Sequence, residues 1–195
     1  MGAGRYGRGM MRIACAVVMM IGMTGAARAQ QQAPVDAPAT HRFELGGRAG
    51  MWNPMDDADD YVDASLGLRV HGAYWVVPMF AIGGAFEWVA ANEEEGVADL
   101  TYYGFGIDGL LTTPNPARVK PFGEIEIARY TVDSDDFGDS ESDIGFRVGG
   151  GATMEMSPSL VLMGDIAYST VDFDFGLASI DTAALIIEVG IAARL

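Results

Sequence analysis

Twelve charged residues each stand between two apolar or glycine neighbours: Glu44, Arg48, Arg69, Glu87, Asp108, Glu124, Glu126, Arg147, Glu155, Asp165, Glu188 and Arg194. Eight carboxylates and four guanidiniums so placed can pair, hold a cation or carry a proton. An unpaired charge away from water is costly, so residues isolated along the chain are expected to find partners across space. The two histidines, His41 and His71, are the candidates for acid–base work. Asp133 to Glu141 (DSDDFGDSE) has the acid density of a calcium loop. It departs from that pattern, with Phe137 where an oxygen ligand belongs and Ile144 in place of the closing glutamate. Gly149-Gly150-Gly151 lies inside an alternating stretch with no helix after it, so it is not read as a phosphate cradle.

The elements that would position these charges follow from a period of two. Ile144, Phe146, Val148, Gly150, Ala152, Met154 and Met156 alternate with Gly145, Arg147, Gly149, Gly151, Thr153 and Glu155. After Ser157-Pro158-Ser159 the pattern resumes as Leu160, Leu162, Gly164, Ile166, Tyr168 against Val161, Met163, Asp165, Ala167. Such alternation predicts strands with one apolar and one small or polar face. Each arm is long enough to cross a bilayer at a tilt, which takes roughly 9–11 residues. The same reading predicts strands over residues 41–53, 64–76, 80–90, 99–111, 119–132 and 182–195, which with this hairpin makes eight. No helix is expected after residue 33. The connections alternate long and acidic with short and proline-bearing, and the eighth strand is expected to pair with the first and leave no edge.

Residues 1–29 read as a cleavable secretory signal: Arg5, Arg8 and Arg12, an apolar core from Ile13 to Met23, then Ala27-Arg28-Ala29. Residues 30–40 form a flexible lead, and 41–195 the barrel. The signal holds four of the 12 basic residues and none of the 27 acids, which leaves 8 against 27, a net of −19. That balance argues against nucleic acid as a partner and suits a surface meeting divalent cations. The sole cysteine, Cys15, falls within the signal, so the exported part does not rely on disulfides.

The fold expected is all-β, an eight-stranded antiparallel transmembrane up-and-down β-barrel. Arg129 shares parity with Ile125 and Ile127, which puts it on the lipid face near the outer end; it either snorkels to the interface or a bulge shifts the register. Trp52 and Trp75 have inward parity. Over residues 41–195 the chain resembles the OmpA-like, porin-family or opacity-type eight-stranded outer-membrane barrels. The resemblance is carried by Lys120-Pro121-Phe122-Gly123-Glu124, the glycine-rich strand Phe146 to Gly151, the Ser157-Pro158-Ser159 turn and the apolar last strand. In that family the last residue is commonly aromatic and serves the assembly machinery; here it is Leu195. The resemblance implies the outer membrane of a Gram-negative bacterium and a closed barrel, and no shared chemistry. Some barrels of this size modify lipid A, the deacylase type pairing a histidine with a serine two residues on. His71 is followed by Gly72 and Ala73, and His41 by Arg42 and Phe43, so that pattern is absent.

An eight-stranded barrel encloses only enough room for its own side chains. By counting, Arg48, Arg69, Glu124, Glu126, Arg147, Asp165 and Glu188 fall near mid-height, and they are expected to form a structural ion-pair network. The competing reading is a polar, gated conduit. No catalytic, metal or cofactor residue is assigned. The leading expectation is a non-enzymatic envelope barrel, monomeric, that meets outer-membrane lipid and lipopolysaccharide, with divalent cations as bridges, and is inserted by the barrel-assembly machinery. A small-conductance channel, a lipid A-modifying enzyme and a soluble barrel with its apolar face turned inward are the alternatives.

Overall fold

The computed structural model describes residues 42–56, 62–93, 100–114, 117–134, 140–174 and 179–195. Residues 1–29, the lead 30–40, His41 and the tips of the four acidic connections lie outside the described residues. The strands are β1 Phe43–Asp56, β2 Val62–Val77, β3 Phe80–Glu93, β4 Leu100–Thr112, β5 Val119–Ser134, β6 Ser140–Ser157, β7 Leu160–Asp174 and β8 Ser179–Arg194. Each pairs antiparallel with its sequence neighbours, and β8 pairs with β1 from Glu44↔Arg194 to Asp56↔Thr182, closing the barrel. Closure satisfies every strand on both sides, as a sheet in hydrocarbon requires.

Burial follows the pleat. On β8, Leu185, Ile187, Val189 and Ile191 are 39–66% exposed, whereas Glu188 between them is 2% exposed. The apolar residues therefore face outward and the ionic ones inward, which overturns the reading of a soluble barrel with an apolar interior. An exterior carrying Phe105, Ile107, Ile125, Ile127, Phe146 and Ile166 in the open is far more apolar than a water-facing surface tolerates.

The strands run further than the alternation implied. β5 and β6 stay paired to Asp133↔Ser140, and β7 and β8 to Asp174↔Ser179, beyond the ends at residues 132, 144, 168 and 182 that the alternation marks. The ladder continues because each strand has partners on both sides, while apolar alternation marks only the belt that meets lipid. Val132↔Glu141 is likewise a ladder pair, so the ends of the calcium-loop-like stretch belong to a hairpin and not to a wrapping loop. At the opposite end, Pro78-Met79 and Pro158-Ser159 make tight turns, each preceded by a bulge, at Trp75/Val77 and Glu155/Ser157. That end is called the turn end below, and the other the loop end. Arg129 sits in continuous ladders opposite Phe105 and Ile144 and is exposed. The bulge option therefore falls, and the arginine faces outward. Trp52 is buried inside the barrel and Trp75 is partly buried there.

Candidate functional site

Three arginines on three strands reach the centre of the lumen, Arg48 from β1, Arg69 from β2 and Arg147 from β6, with fully buried side chains. Small residues opposite them make the room. A Cβ at Gly190 would strike the stem of Arg48 and the backbone of β1, so only glycine lets that stem cross the strand pair. Arg48 donates through Nη1 to Asp165 Oδ1 at 2.9 Å and through Nη2 to Glu124 Oε2 at 2.8 Å. Arg69 Nη2 donates to Glu124 Oε1 at 2.9 Å and to Asp108 Oδ2 at 3.5 Å, and it also bonds Glu126. Arg147 Nη2 donates to Glu188 Oε2 at 2.5 Å and Asp165 Oδ2 at 3.2 Å, while its Nη1 reaches Glu87 Oε2 at 3.4 Å. With Arg147 Nε 3.5 Å from its Oε1, Glu124 touches all three guanidiniums.

All seven residues placed at mid-height from the sequence meet in this layer. Glu87 and Asp108 join them, although counting had put both outside it. The signal for Glu87 was available only in part: the turn at Pro78-Met79 brings it beside β2, and the one-residue bulge at Trp75/Val77 then sets it opposite Arg69. Asp108 stands opposite Glu126 in the β4–β5 ladder. The layer thus holds three guanidiniums against six carboxylates. One carboxylate oxygen from each of Asp108, Glu124 and Glu126 lies within 4.8 Å of the other two. Arg69 Nη2 already sits among them, where a cation would otherwise go.

Apolar layers lie on both sides. Towards the loop end, Tyr102 stacks on Tyr130 with ring centroids 5.1 Å apart and meets Trp52 at 5.7 Å and Phe173 at 6.4 Å. Val89, Ala128, Ala167, Val171, Ala184 and Ile186 complete this cluster. Tyr130 fits because Gly104 and Gly145 flank its ring on the strands to either side. Towards the turn end, Ala73, Ala81, Leu110 and Phe122 form a second cluster with Trp75 packed against it. Beneath it lies a cavity of about 20 Å³ bordered by Glu44, Trp75, Phe122 and Arg194, room for about one water. At that rim Arg194 bridges Glu44 and Glu155, each at 3.0 Å, and Lys120 Nζ reaches Glu155 at 2.8 Å.

His71 is buried with its ring over Gly46, and its Nε2 lies 3.8 Å from Glu44 Oε1. The buried Ser65, on the same strand, donates to the carbonyl oxygen of Asp63 near the loop end. The strand therefore separates that hydroxyl from the histidine by six residues, and the two do not form a nucleophile–base pair.

An apolar exterior, a filled polar lumen, eight antiparallel strands and no free edge define a membrane-type β-barrel. The model of the outer membrane protein beta-barrel domain matches residues 13–191, and the chain belongs to that family. A comparison with curated protein sequences finds no match. Among solved structures, the chain is similar to Neisserial surface protein A at 12% identity and a TM-score of 0.68, covering 78% of this chain and 97% of that one. It is also similar to OprG from Pseudomonas aeruginosa at 12% identity and a TM-score of 0.55, covering 80% and 98%. The attachment invasion locus protein Ail of Yersinia pestis, solved with the heparin analogue sucrose octasulfate, matches at 18% identity and a TM-score of 0.53, covering 80% and 99%. At such identities the likeness is one of fold.

Proposed function

We propose that this chain is a non-enzymatic barrel of the outer membrane of a Gram-negative bacterium, with a closed lumen and a role in envelope structure and surface contact. In this reading residues 1–29 are removed on export, residues 30–40 lead into the barrel at 41–195, and the turn end faces the periplasm. The observation that carries it is the ionic layer sealed between two apolar layers. Guanidiniums bonded to two or more carboxylates each, beneath a stack of Trp52, Tyr102, Tyr130 and Phe173, form a plug and not a path. Planar-bilayer recordings of the refolded barrel are expected to show no steady conductance; a reproducible single-channel level would overturn the plug and favour the channel reading. Expression that shifted the mass of lipid A would favour an enzyme.

The surface role draws on charge. From Asp56 to Asp63, Glu93 to Asp99, Asp133 to Asp143 and Asp172 to Asp181, the sequence carries acids and no Lys or Arg. The heparin analogue bound by Ail is a polyanion, and an end of this composition repels such a ligand. Divalent cations that bridge to lipopolysaccharide phosphates suit it better. Arg129, outward on the loop-end half of β5, is placed to meet an outer-leaflet phosphate directly. The barrel acts as a monomer, since closure leaves no edge to pair, and it enters the membrane through the barrel-assembly machinery. Lipopolysaccharide binding that is lost on removing divalent cations supports the bridging, whereas binding indifferent to chelation counts against it.

A further inference from the structure

Through the apolar belt every strand has a neighbour on each side. At the loop end one strand outruns its neighbour. The β6–β7 ladder stops at Phe146↔Thr170, while β6 runs on to Ser140 with β5 alone, through Asp133↔Ser140. The next rung would set Ile144 against Asp172. Instead the Ile144 N–H donates to Asp143 Oδ1 at 2.6 Å. Successive residues turn their N–H and C=O groups to opposite sides of a strand. Ser140, Ser142 and Ile144 therefore offer theirs to the open side, and Glu141 and Asp143 turn theirs to β5. Glu155, another odd position on β6, donates its N–H to the carbonyl oxygen of Arg118 on the β5 side, in step with this.

Among the described residues this is the longest such overhang. β1 overruns β2 from Asn53 to Asp56, but Pro54 has no N–H to offer and Asn53 Nδ2 turns to the carbonyl oxygen of Leu185. β3 overruns β4 only from Ala91 to Glu93. The β6 edge has no proline and is a template for one more strand. Its charges decide which strand fits. Asp143 is exposed and Glu141 half-buried on the edge itself, Asp133 is exposed beside Ser140, and Asp172 is exposed on β7. The cation in these rows, Arg129, lies one strand back on β5, opposite Ile144. Opposite charges on facing strands attract and like charges repel. A second copy would bring Glu141 and Asp143 against the same acids, so the edge turns away its own kind and suits a basic strand.

We propose that the open edge of β6, residues 140–144, takes an extended basic segment of a partner polypeptide as an added strand. Its backbone pairs with Ser140, Ser142 and Ile144, and Lys or Arg at alternate positions stands beside Glu141 and Asp143. Backbone pairing supplies the hold and the acids supply the choice. This deepens the surface role proposed above and rests on the loop end facing outward. Intact cells that leave such a segment unbound, while the purified barrel binds it, would fault that orientation and leave the edge standing.

The test is fluorescence polarisation of a labelled synthetic peptide that alternates Lys and Val, titrated with the full barrel in zwitterionic detergent. The wild type is expected to bind it and not to bind a peptide alternating Glu and Val. Methylating the backbone nitrogens on one edge of the basic peptide keeps its charge and should weaken binding about tenfold, the worth of roughly one or two backbone hydrogen bonds. On the barrel, Ser142→Pro removes an open-side N–H, leaves the β5 ladder its bonds, and should weaken binding by a similar factor. Ser142→Ala loses only the hydroxyl and should bind as the wild type does. Glu141→Gln combined with Asp143→Asn should weaken binding about fivefold. Heat-modifiable gel migration confirms that each variant is folded, and the methylated peptide decides the matter on the wild type alone. No binding by the wild type, or equal affinity for the plain and methylated peptides, would overturn the proposal. Full binding by folded Ser142→Pro would overturn it as well.

Discussion

The lumen holds two sets of ion pairs at two heights, and their bond lengths are nearly the same. In the central layer Arg48 meets Glu124 and Asp165 at 2.8 and 2.9 Å with its side chain fully buried. At the rim Lys120 and Arg194 meet Glu155 at 2.8 and 3.0 Å, with side chains 22%, 17% and 37% exposed. Distance therefore does not rank them; the surrounding medium does. Water and salt can replace either partner at the rim, so such a pair contributes about 0–1 kcal/mol. In the sealed layer nothing replaces a lost partner, and the charge left behind keeps its full desolvation cost. The central layer is also short of cations, so each guanidinium there serves several carboxylates at once.

Arg147→Leu should break the contrast most sharply. It strips Glu87, Asp165 and Glu188 of a shared donor, and the expected cost is about 3–5 kcal/mol, read as a shift in the urea midpoint of the folded barrel in lipid. A cost below about 1 kcal/mol would put the layer on a par with a surface pair and undo the comparison. Tyr102→Ala removes the ring that joins Trp52, Tyr130 and Phe173. A loss near 3 kcal/mol is expected from an aromatic truncated in a packed core, and urea titration measures it. Were bilayer recordings of this variant to show steady current while the wild type stays silent, the aromatic layer would be the seal.

Smaller effects sharpen the other side. Arg129→Leu on the lipid face should stabilise by about 1 kcal/mol or less if the guanidinium reaches the interface, since arginine costs roughly 2–4 kcal/mol only near the midplane. A larger gain in the urea midpoint would place Arg129 deeper than the headgroups. Glu155→Gln should cost the least, under about 1 kcal/mol. That difference should shrink further at about 1 M salt, where the screening length falls to roughly 3 Å; a cost that persists in high salt would mean the rim behaves like the layer.

Much of this was legible along the chain and some of it was not. The side of each charge was readable because the pleat alternates residue by residue, so Glu87 and Asp108 were already inward. Their height was misjudged because counting along a strand measures position on that strand alone, and neighbouring strands in a barrel are offset by tilt and stagger. The aromatic layer escaped notice for a related reason. Trp52, Tyr102 and Tyr130 were each readable as inward, but they come from β1, β4 and β5, and only closure gathers them. Strand ends were missed because pairing continues past the belt where apolar alternation stops.

By itself the sequence determined the strands, their faces, the tight proline turns and the inward charges, since these depend on near neighbours and a period of two. Which carboxylate meets which arginine was decided only in three dimensions. Glu124 joins side chains from β1, β2 and β6 through a register and a ring closure that no local stretch encodes. The same holds outside the barrel, where the Arg42 guanidinium meets the Tyr74 hydroxyl because β1 lies against β2 at one register and no other.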